Sequence, residues 1–135
     1  MPFVPCRLAN IVIDEVVDRH LVVLEELAAA RRKLVIVIGL NEALAIDRAV
    51  KGETFARPLT HDLTIAILAA TRHQLREVRI VELREQTFFA ELVLVAGDGA
   101  TRHIDARPSD ALALLVRQPG AQLSVNEVVL AEAAS

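Results

Sequence analysis

Cysteine and aromatic residues are scarce in this 135-residue chain. Cys6 is the single cysteine, Trp and Tyr are absent, and four Phe residues are the only aromatic side chains. One cysteine excludes an internal disulfide framework and the common cysteine-rich zinc sites. So few aromatic residues also argue against a surface on which successive nucleic-acid bases stack.

Long apolar runs and an excess of positive charge are missing as well. No apolar stretch approaches the roughly 20 residues that a membrane span needs, and the N-terminal region lacks the basic and apolar segments of a secretory signal. The net charge of −3 and the pI of about 5.8 argue against a broad basic surface for nucleic acid, although they allow a local basic site. We expect a cytoplasmic protein that does not contact membranes.

Hydrophobic side chains, in contrast, are abundant. They make up 53% of the sequence, and the mean hydropathy of +0.40 is high for a soluble monomer of this length. Residues 1–135 are enough for a single domain with a substantial core. Because some apolar surface should be covered by another subunit, the sequence predicts a homo-oligomer, most simply a dimer.

The hydrophobic pattern predicts an α+β fold. Alternating or continuous β-branched stretches indicate strands at 3–14, 16–24, 34–38, 75–83, 88–95, 101–107 and 122–125. Three main helices are expected at 42–50, 60–74 and 109–116, with Asn41, Thr60 and Ser109 as their N-caps, and a short helix follows Asn126. Strands and helices neither alternate strictly nor segregate, so we expect one mixed, mostly antiparallel sheet.

The strand-to-helix corner before the third helix concentrates polar side chains. Asp105 and Arg107 share one face of the strand, which a proline then ends. Ser109 is a good N-cap, and Asp110 falls in the first turn, where the helix dipole favours a carboxylate. The six apolar residues at 111–116 leave almost no solvated face, so this helix should be buried.

A second corner repeats the same chemistry before the second helix. Arg57 also precedes a proline, Thr60 is the expected cap, and His61 and Asp62 occupy the first turn. A helix N-terminus with an adjacent arginine is a good phosphate site, which predicts phosphate-binding roles for Arg57, Thr60, Arg107 and Ser109. Phosphodiester hydrolysis requires groups that activate water or bind a divalent cation. The candidates for this catalytic role are His61, Asp62, Asp105 and Asp110.

The three aspartates are also the candidate metal ligands, for Mg²⁺ or Mn²⁺, because hard cations prefer carboxylate oxygens. A purely structural role is the simpler alternative. Arg107 can pair with Asp105 or Asp62, and Asp110 can merely complement its own helix.

One internal similarity links two helix starts. The segment 41–46 matches the segment 109–114 in cap, first-turn acid and apolar order, and each follows a predicted strand. This favours two strand-corner-helix units. The match would equally arise between any two capped, alanine-rich buried helices, so both explanations stay open.

At these residues the sequence resembles the bifunctional nuclease domain family. The similarity rests on segments that occur in the family's order, namely 38–46, 57–63, 87–92 and, above all, 104–114. It departs at 71–74, where members commonly place a glycine after the helix. The resemblance implies an α+β domain that self-associates and cleaves DNA and RNA, but it supplies no catalytic residues, so the site residues above rest on physical inference.

Two hypotheses follow. The first is a nuclease that hydrolyses phosphodiester bonds in DNA or RNA with little sequence preference, which requires the two corners to meet in space. The alternative is a non-catalytic oligomeric protein that binds an anionic ligand or a partner protein. The completely apolar stretch 111–116 of the third helix and the high hydrophobic content favour this alternative.

Overall fold

The structure is a computed structural model that describes residues 2–135, and a seven-stranded sheet organises it. The strands are β1 (Phe3–Asp14), β2 (Arg19–Glu26), β3 (Lys33–Ile38), β4 (His73–Arg84), β5 (Thr87–Ala96), β6 (Thr101–Ala106) and β7 (Gln122–Asn126). They lie in the order β3-β2-β1-β7-β4-β5-β6. All neighbours are antiparallel except the parallel pair of β4 and β7. The predicted α+β class with a mixed, mostly antiparallel sheet is confirmed.

Within residues 2–135, four helices accompany the sheet: α1 (Leu40–Val50), α2 (Thr60–Ala70), α3 (Pro108–Leu115) and α4 (Glu127–Ala133). The first three are the predicted main helices. The fourth is the expected short helix, and the Asn126 side chain caps it by accepting a hydrogen bond of 3.0 Å from the Val128 N–H. None of the helices in the described part of the chain is long and apolar enough to cross a membrane.

The N-caps predicted for the three main helices are wrong by one or two residues. The caps are Gly39, Leu59 and Arg107, and none of them uses a side-chain hydrogen bond from the cap residue. At α3, Pro108 occupies the first helical position, where its fixed φ suits a helix and its missing N–H costs nothing. At α2, the Asp62 carboxylate accepts the Leu59 N–H at 3.1 Å. Helix geometry therefore extends past the residues with the strongest capping preference.

The second helix also ends earlier than predicted, at Ala70 rather than near Gln74. Arg72 takes a left-handed backbone with φ of 59°, and β4 begins at the next residue. His73 and Gln74 pair with Ala96 and Val95 of β5. The sheet hydrogen bonds therefore override the local helical pattern, as tertiary context commonly does.

The core lies between one face of the sheet and the helices. Fully buried side chains from central strands, such as Val78 and Ile80, pack in one cluster with Ile46 of α1 and Leu112 of α3. Residues 111–114 of α3 are all buried, which confirms the predicted burial of this helix. Because α3 contacts α1, α2, β4 and β5, its N-terminus is held firmly in place.

The two edge strands lead into the two helices that resemble each other in sequence. β3 enters α1 through the single residue Gly39, and β6 enters α3 through the single residue Arg107. The helices α1 and α3 pack against each other. The fold therefore contains two strand-corner-helix units whose helix starts lie close together.

Candidate functional site

A cleft of about 630 Å³ opens where the first turns of three helices meet. Helix N-termini carry unpaired N–H groups and a partial positive charge. The cleft residues from these turns are Asn41 and Glu42 of α1, Thr60 and His61 of α2, and Arg107 and Asp110 at the start of α3. Three such termini around one cavity favour an anionic ligand.

His61 and Asp110 join the two predicted corners. The His61 Nε2 and Asp110 Oδ1 atoms are 3.0 Å apart, and the side chains are 18% and 37% exposed. Because an ionised carboxylate can only accept, Nε2 carries the proton of this hydrogen bond. No other side-chain hydrogen bond of His61 occurs within residues 2–135, so its Nδ1 is free to exchange a proton with a bound molecule.

The second oxygen of Asp110 binds Arg107. Arg107 Nε donates to Asp110 Oδ2 at 3.0 Å, and its Nη1 lies 3.8 Å from Glu42 Oε1. Burial alone would raise the pKa of Asp110, but the hydrogen bonds from His61 and Arg107 outweigh it and hold the pKa below its ordinary value. Asp110 is therefore a fixed, ionised acceptor that orients the imidazole.

Glu42 occupies in α1 the position that Asp110 occupies in α3, and the two acids flank Arg107. The Glu42 carboxylate folds back over Gly39, so that a Cβ atom at residue 39 would collide with this carboxylate. A larger residue at position 39 would therefore displace the end of the Glu42 side chain from its present position. The Arg107 side chain lines the cleft and is 66% exposed, although it lies beside both Glu42 and Asp110.

Asp62 faces away from this cleft and stabilises the helix packing. Arg117 Nε donates to Asp62 Oδ1 at 2.8 Å, and the other Arg117 nitrogens donate to the carbonyls of Ala113 and Ala45 at 2.8 and 2.9 Å. Burial would raise the pKa of Asp62, but the Arg117 side chain and the Leu59 N–H lower it below its ordinary value. Only 8% of the Arg117 side chain is exposed. This arginine, which lines the cleft, therefore joins α1, α2 and α3.

The predicted site residues divide into two groups. Thr60, His61, Arg107 and Asp110 line the cleft together. Arg57 and Asp62 line a separate cavity of about 310 Å³, and Ser109 is buried beside a second cleft.

Asp105 lies on the far side of the sheet. It pairs in register with Glu91, whereas its neighbours on β6 pair with the core residues Ala90 and Leu92. Side chains alternate along a strand, so Asp105 faces away from α3. The three candidate metal ligands are consequently not brought together, and no group of three His, Cys, Asp or Glu residues suited to a metal ion occurs over 2–135.

Three charged cleft residues were not singled out from the sequence: Glu42, Arg48 and Arg117. Glu42 was overlooked because it looked like an ordinary first-turn acid. Arg48 lines the cleft and makes no side-chain hydrogen bond or ion pair with any described residue. The signal for Arg48 was present, because Asn41, Ala45 and Arg48 have the i, i+4, i+7 spacing of one helix face.

The fold is that of a small α+β domain with a cleft lined by charged side chains at its helix N-termini. The family model for the bifunctional nuclease domain matches residues 22–135. The chain therefore belongs to the bifunctional nuclease domain family, and the resemblance noted in its sequence is confirmed.

The chain is also similar to two proteins of Mycobacterium tuberculosis, the uncharacterized proteins Rv1829 of strain H37Rv and MT1877 of strain CDC 1551. Each is 40% identical over 127 residues, a stretch that covers 94% of this chain and 74% of the relative. Because this stretch covers 127 of the 135 residues, it extends the similarity into the N-terminal region before residue 22, which contains most of β1. They add no assignment of activity.

Proposed function

We propose that this protein hydrolyses phosphodiester bonds in DNA or RNA with little sequence preference. The observation that carries the proposal is the 3.0 Å pair of His61 and Asp110 beside Arg107, at a cleft formed by three helix N-termini. Membership of the bifunctional nuclease domain family supports the same reaction class. Glu42 and Asp110 pair with Arg107, and Arg117 pairs with Asp62. Arg48 and the helix N-termini are therefore the groups at this cleft that attract a phosphate.

Each residue has a distinct role in this proposal. Arg107 and Arg48, with the helix N-termini, hold the phosphate and stabilise the charge that develops on it. His61 accepts a proton from the attacking water at Nδ1, and Asp110 fixes the ring by its bond to Nε2. As the water oxygen bonds to phosphorus, the bond from phosphorus to the leaving sugar oxygen breaks, and that oxygen takes a proton from solvent. Contacts to phosphate carry no base information, which explains the low sequence preference.

Arg57, Asp62 and Asp105 have no part in this machinery, because they lie outside the cleft. The acids inside it, Glu42 and Asp110, are both held by Arg107. A divalent cation such as Mg²⁺ or Mn²⁺ would therefore compete with the Arg107 guanidinium for the same oxygens. Cleavage measured with and without added metal therefore tests whether such a cation takes part in the reaction.

The second candidate is binding of an anionic ligand without hydrolysis. One observation favours it: both carboxylate oxygens of Asp110 are already engaged, one by His61 and the other by Arg107. In that case His61 would contribute a hydrogen bond at Nδ1 to the bound ligand rather than take a proton from water. The two candidates share the cleft but differ in whether a bond is broken.

We also propose that the chain forms a homodimer through the outer face of α2. No residue of this helix is buried, and Leu63 and Ile67 are 49% and 54% exposed. From Leu63 to Thr71 the helix carries no charged residue, so its apolar stripe complements an identical stripe on a second copy. Such a face on a monomer would remain in contact with water.

The experiment is cleavage of labelled single-stranded RNA, single-stranded DNA and duplex DNA by the full chain, with Mg²⁺, Mn²⁺ or EDTA. We expect His61→Ala to lower kcat/KM by about 100-fold or more, because general-base catalysis contributes at least that much. His73→Ala is the matched control, since His73 lies at the start of β4, away from the cleft.

Folding of each variant is confirmed by circular dichroism and thermal unfolding. Cleavage that His61→Ala abolishes and His73→Ala preserves supports hydrolysis at this cleft. Asp105→Asn should also retain activity, because its carboxylate lies on the other face of the sheet. Cleavage that survives in folded His61→Ala would contradict the proposal, and binding without cleavage by the wild type would favour the second candidate.

A further inference from the structure

A second cleft adjoins the phosphate cleft and differs from it in character. Its volume is about 450 Å³, and it shares Glu42 and Arg107 with the first cleft. Its remaining walls come largely from apolar side chains of β3, the start of β5 and the start of α3, including Val37, Phe88 and Pro108. Arg107 thus stands at the boundary between a charged cavity and an apolar one.

The free edge of β3 forms one wall of this apolar cleft. Five consecutive residues, 35–39, line it. Because side chains alternate between the faces of a strand, a cavity that touches every residue in a row lies along the backbone edge. In the described part of the chain β2 is the strand that pairs with β3. The N–H and C=O of Lys33 bond to Ser135 on the outer edge, so the outer groups available as donors and acceptors are those of residues 35–38. Gln86 and Thr87 add polar side chains at the opposite wall.

We infer that the apolar cleft binds one unpaired base of the nucleic acid whose phosphate lies beside Arg107, and that single strands are therefore the preferred substrate. This inference rests on the proposed function. A base requires an apolar surface for its faces and hydrogen-bonding groups for its edge, and the cleft offers both. Its volume lies in the range typical of small-molecule sites.

The preference for single strands follows from the position of a base in a duplex. Paired bases are stacked inside the helix, and a base must be extruded before it can enter a pocket beside its own phosphate. Unpairing the base costs free energy in a duplex, whereas a single strand has no base pair to break. The backbone groups of β3 can bond to any base edge, so the cleft adds affinity without strict sequence choice.

Phe88 provides the sharpest variant for a test. It lines the cleft, whereas Phe89, its neighbour on β5, faces the other side of the sheet and contacts Arg84. Phe88→Leu keeps an apolar side chain of similar size but removes the aromatic face, and Phe89→Leu is the matched control. Stacking on an aromatic side chain contributes roughly 5-fold to 150-fold in affinity per base.

The experiment measures the Kd of the full chain for three fluorescent DNA probes by anisotropy, with probe integrity checked on gels. The probes are a single strand, the same sequence as a duplex, and a single strand of equal length with abasic linkers in place of bases. We expect the single strand to bind about tenfold more tightly than the other two. Phe88→Leu should remove most of this advantage, while Phe89→Leu should keep it.

Salt dependence separates the two clefts. Arg48→Ala should reduce the slope of log Kd against log salt, because it removes a phosphate contact, whereas Phe88→Leu should leave that slope unchanged. Equal binding of abasic and normal single strands would overturn the inference, as would absence of binding to every probe. Base-dependent binding without any cleavage would instead contradict only the proposed hydrolysis.

Discussion

Asp62 and Asp110 are first-turn aspartates of neighbouring helices, yet they have different partners. Asp110 bonds His61 in an open cleft, whereas Asp62 accepts from Arg117 and from its own helix start. Both carboxylates stay ionised because the pKa of each lies below its ordinary value once the donors outweigh the effect of burial. Asp110 therefore orients His61 at the cleft, whereas Asp62 stabilises the packing of the helices.

The Asp62 pair gives a prediction about pH and stability. A folded-state pKa below the ordinary value of 3.8 means that the unfolded chain takes up the proton first. The pair therefore stabilises the fold above about pH 4 and loses that contribution as pH falls further. We expect Asp62→Asn to be less stable than wild type at pH 7 and to lose less stability between pH 6 and pH 2.

Urea unfolding followed by circular dichroism at several pH values measures this effect. Part of the dependence of stability on pH will persist in Asp62→Asn. Hydrogen bonds from Arg7 and Arg32 also lower the pKa values of Glu25, Glu26 and Glu127. A pH dependence in Asp62→Asn that equals the wild-type dependence would show that the pair with Arg117 does not form.

At the scale of elements, the junction between α2 and β4 has a built-in strain. Arg72 has a φ of 59°, a left-handed conformation that costs a side-chain-bearing residue roughly 1 kcal/mol. We expect Arg72→Gly to stabilise the fold by about 0.5 to 1 kcal/mol, because relief of this strain exceeds the entropy that glycine adds to the unfolded chain. The measurement is the free energy of unfolding in urea.

Arg72→Ala is the control for the loss of the arginine side chain, since it retains a Cβ atom and the strain. Its stability should stay near that of wild type. If the glycine variant is less stable than the alanine variant, the left-handed conformation at this position is not the source of strain.

The elements also show what the sequence could predict. β-branched runs and turn residues located every strand, because these signals are local. Helix starts were less predictable, since at α3 the proline extends the helix beyond the residue with the better capping side chain. The end of α2 was set by sheet pairing with β5, which no local pattern contains.

The candidate site was predictable only in part for a similar reason. The corners at Thr60 and Ser109 were recognised because Arg-Pro and a first-turn acid recur in both. The sequence could not show that Asp62 would pair with Arg117, 55 residues away. The outward direction of Asp105 depended on the register of β6 against β5, which fixes the face on which each side chain lies.

At the scale of the whole molecule, the exposed apolar face of α2 predicts the oligomeric state. We expect wild-type protein to sediment as a dimer and Ile67→Glu to sediment as a monomer, because a charge buried in an apolar interface is costly. Val50→Glu is the matched control, since Val50 is 56% exposed at the end of α1. A monomeric wild type, or equal behaviour of both variants, would contradict the proposed interface.

The measurement that tests the central claim most directly is a double-mutant cycle on kcat/KM for single-stranded DNA, with His61→Ala, Asp110→Asn and the double variant. If Asp110 acts by orienting His61, the double variant should be no slower than His61→Ala alone, because residues that act as a unit are not additive. If the loss of kcat/KM in the double variant equals the product of the two single-variant losses, Asp110 does not act through His61. Full activity in folded His61→Ala would contradict the assignment of the cleft itself.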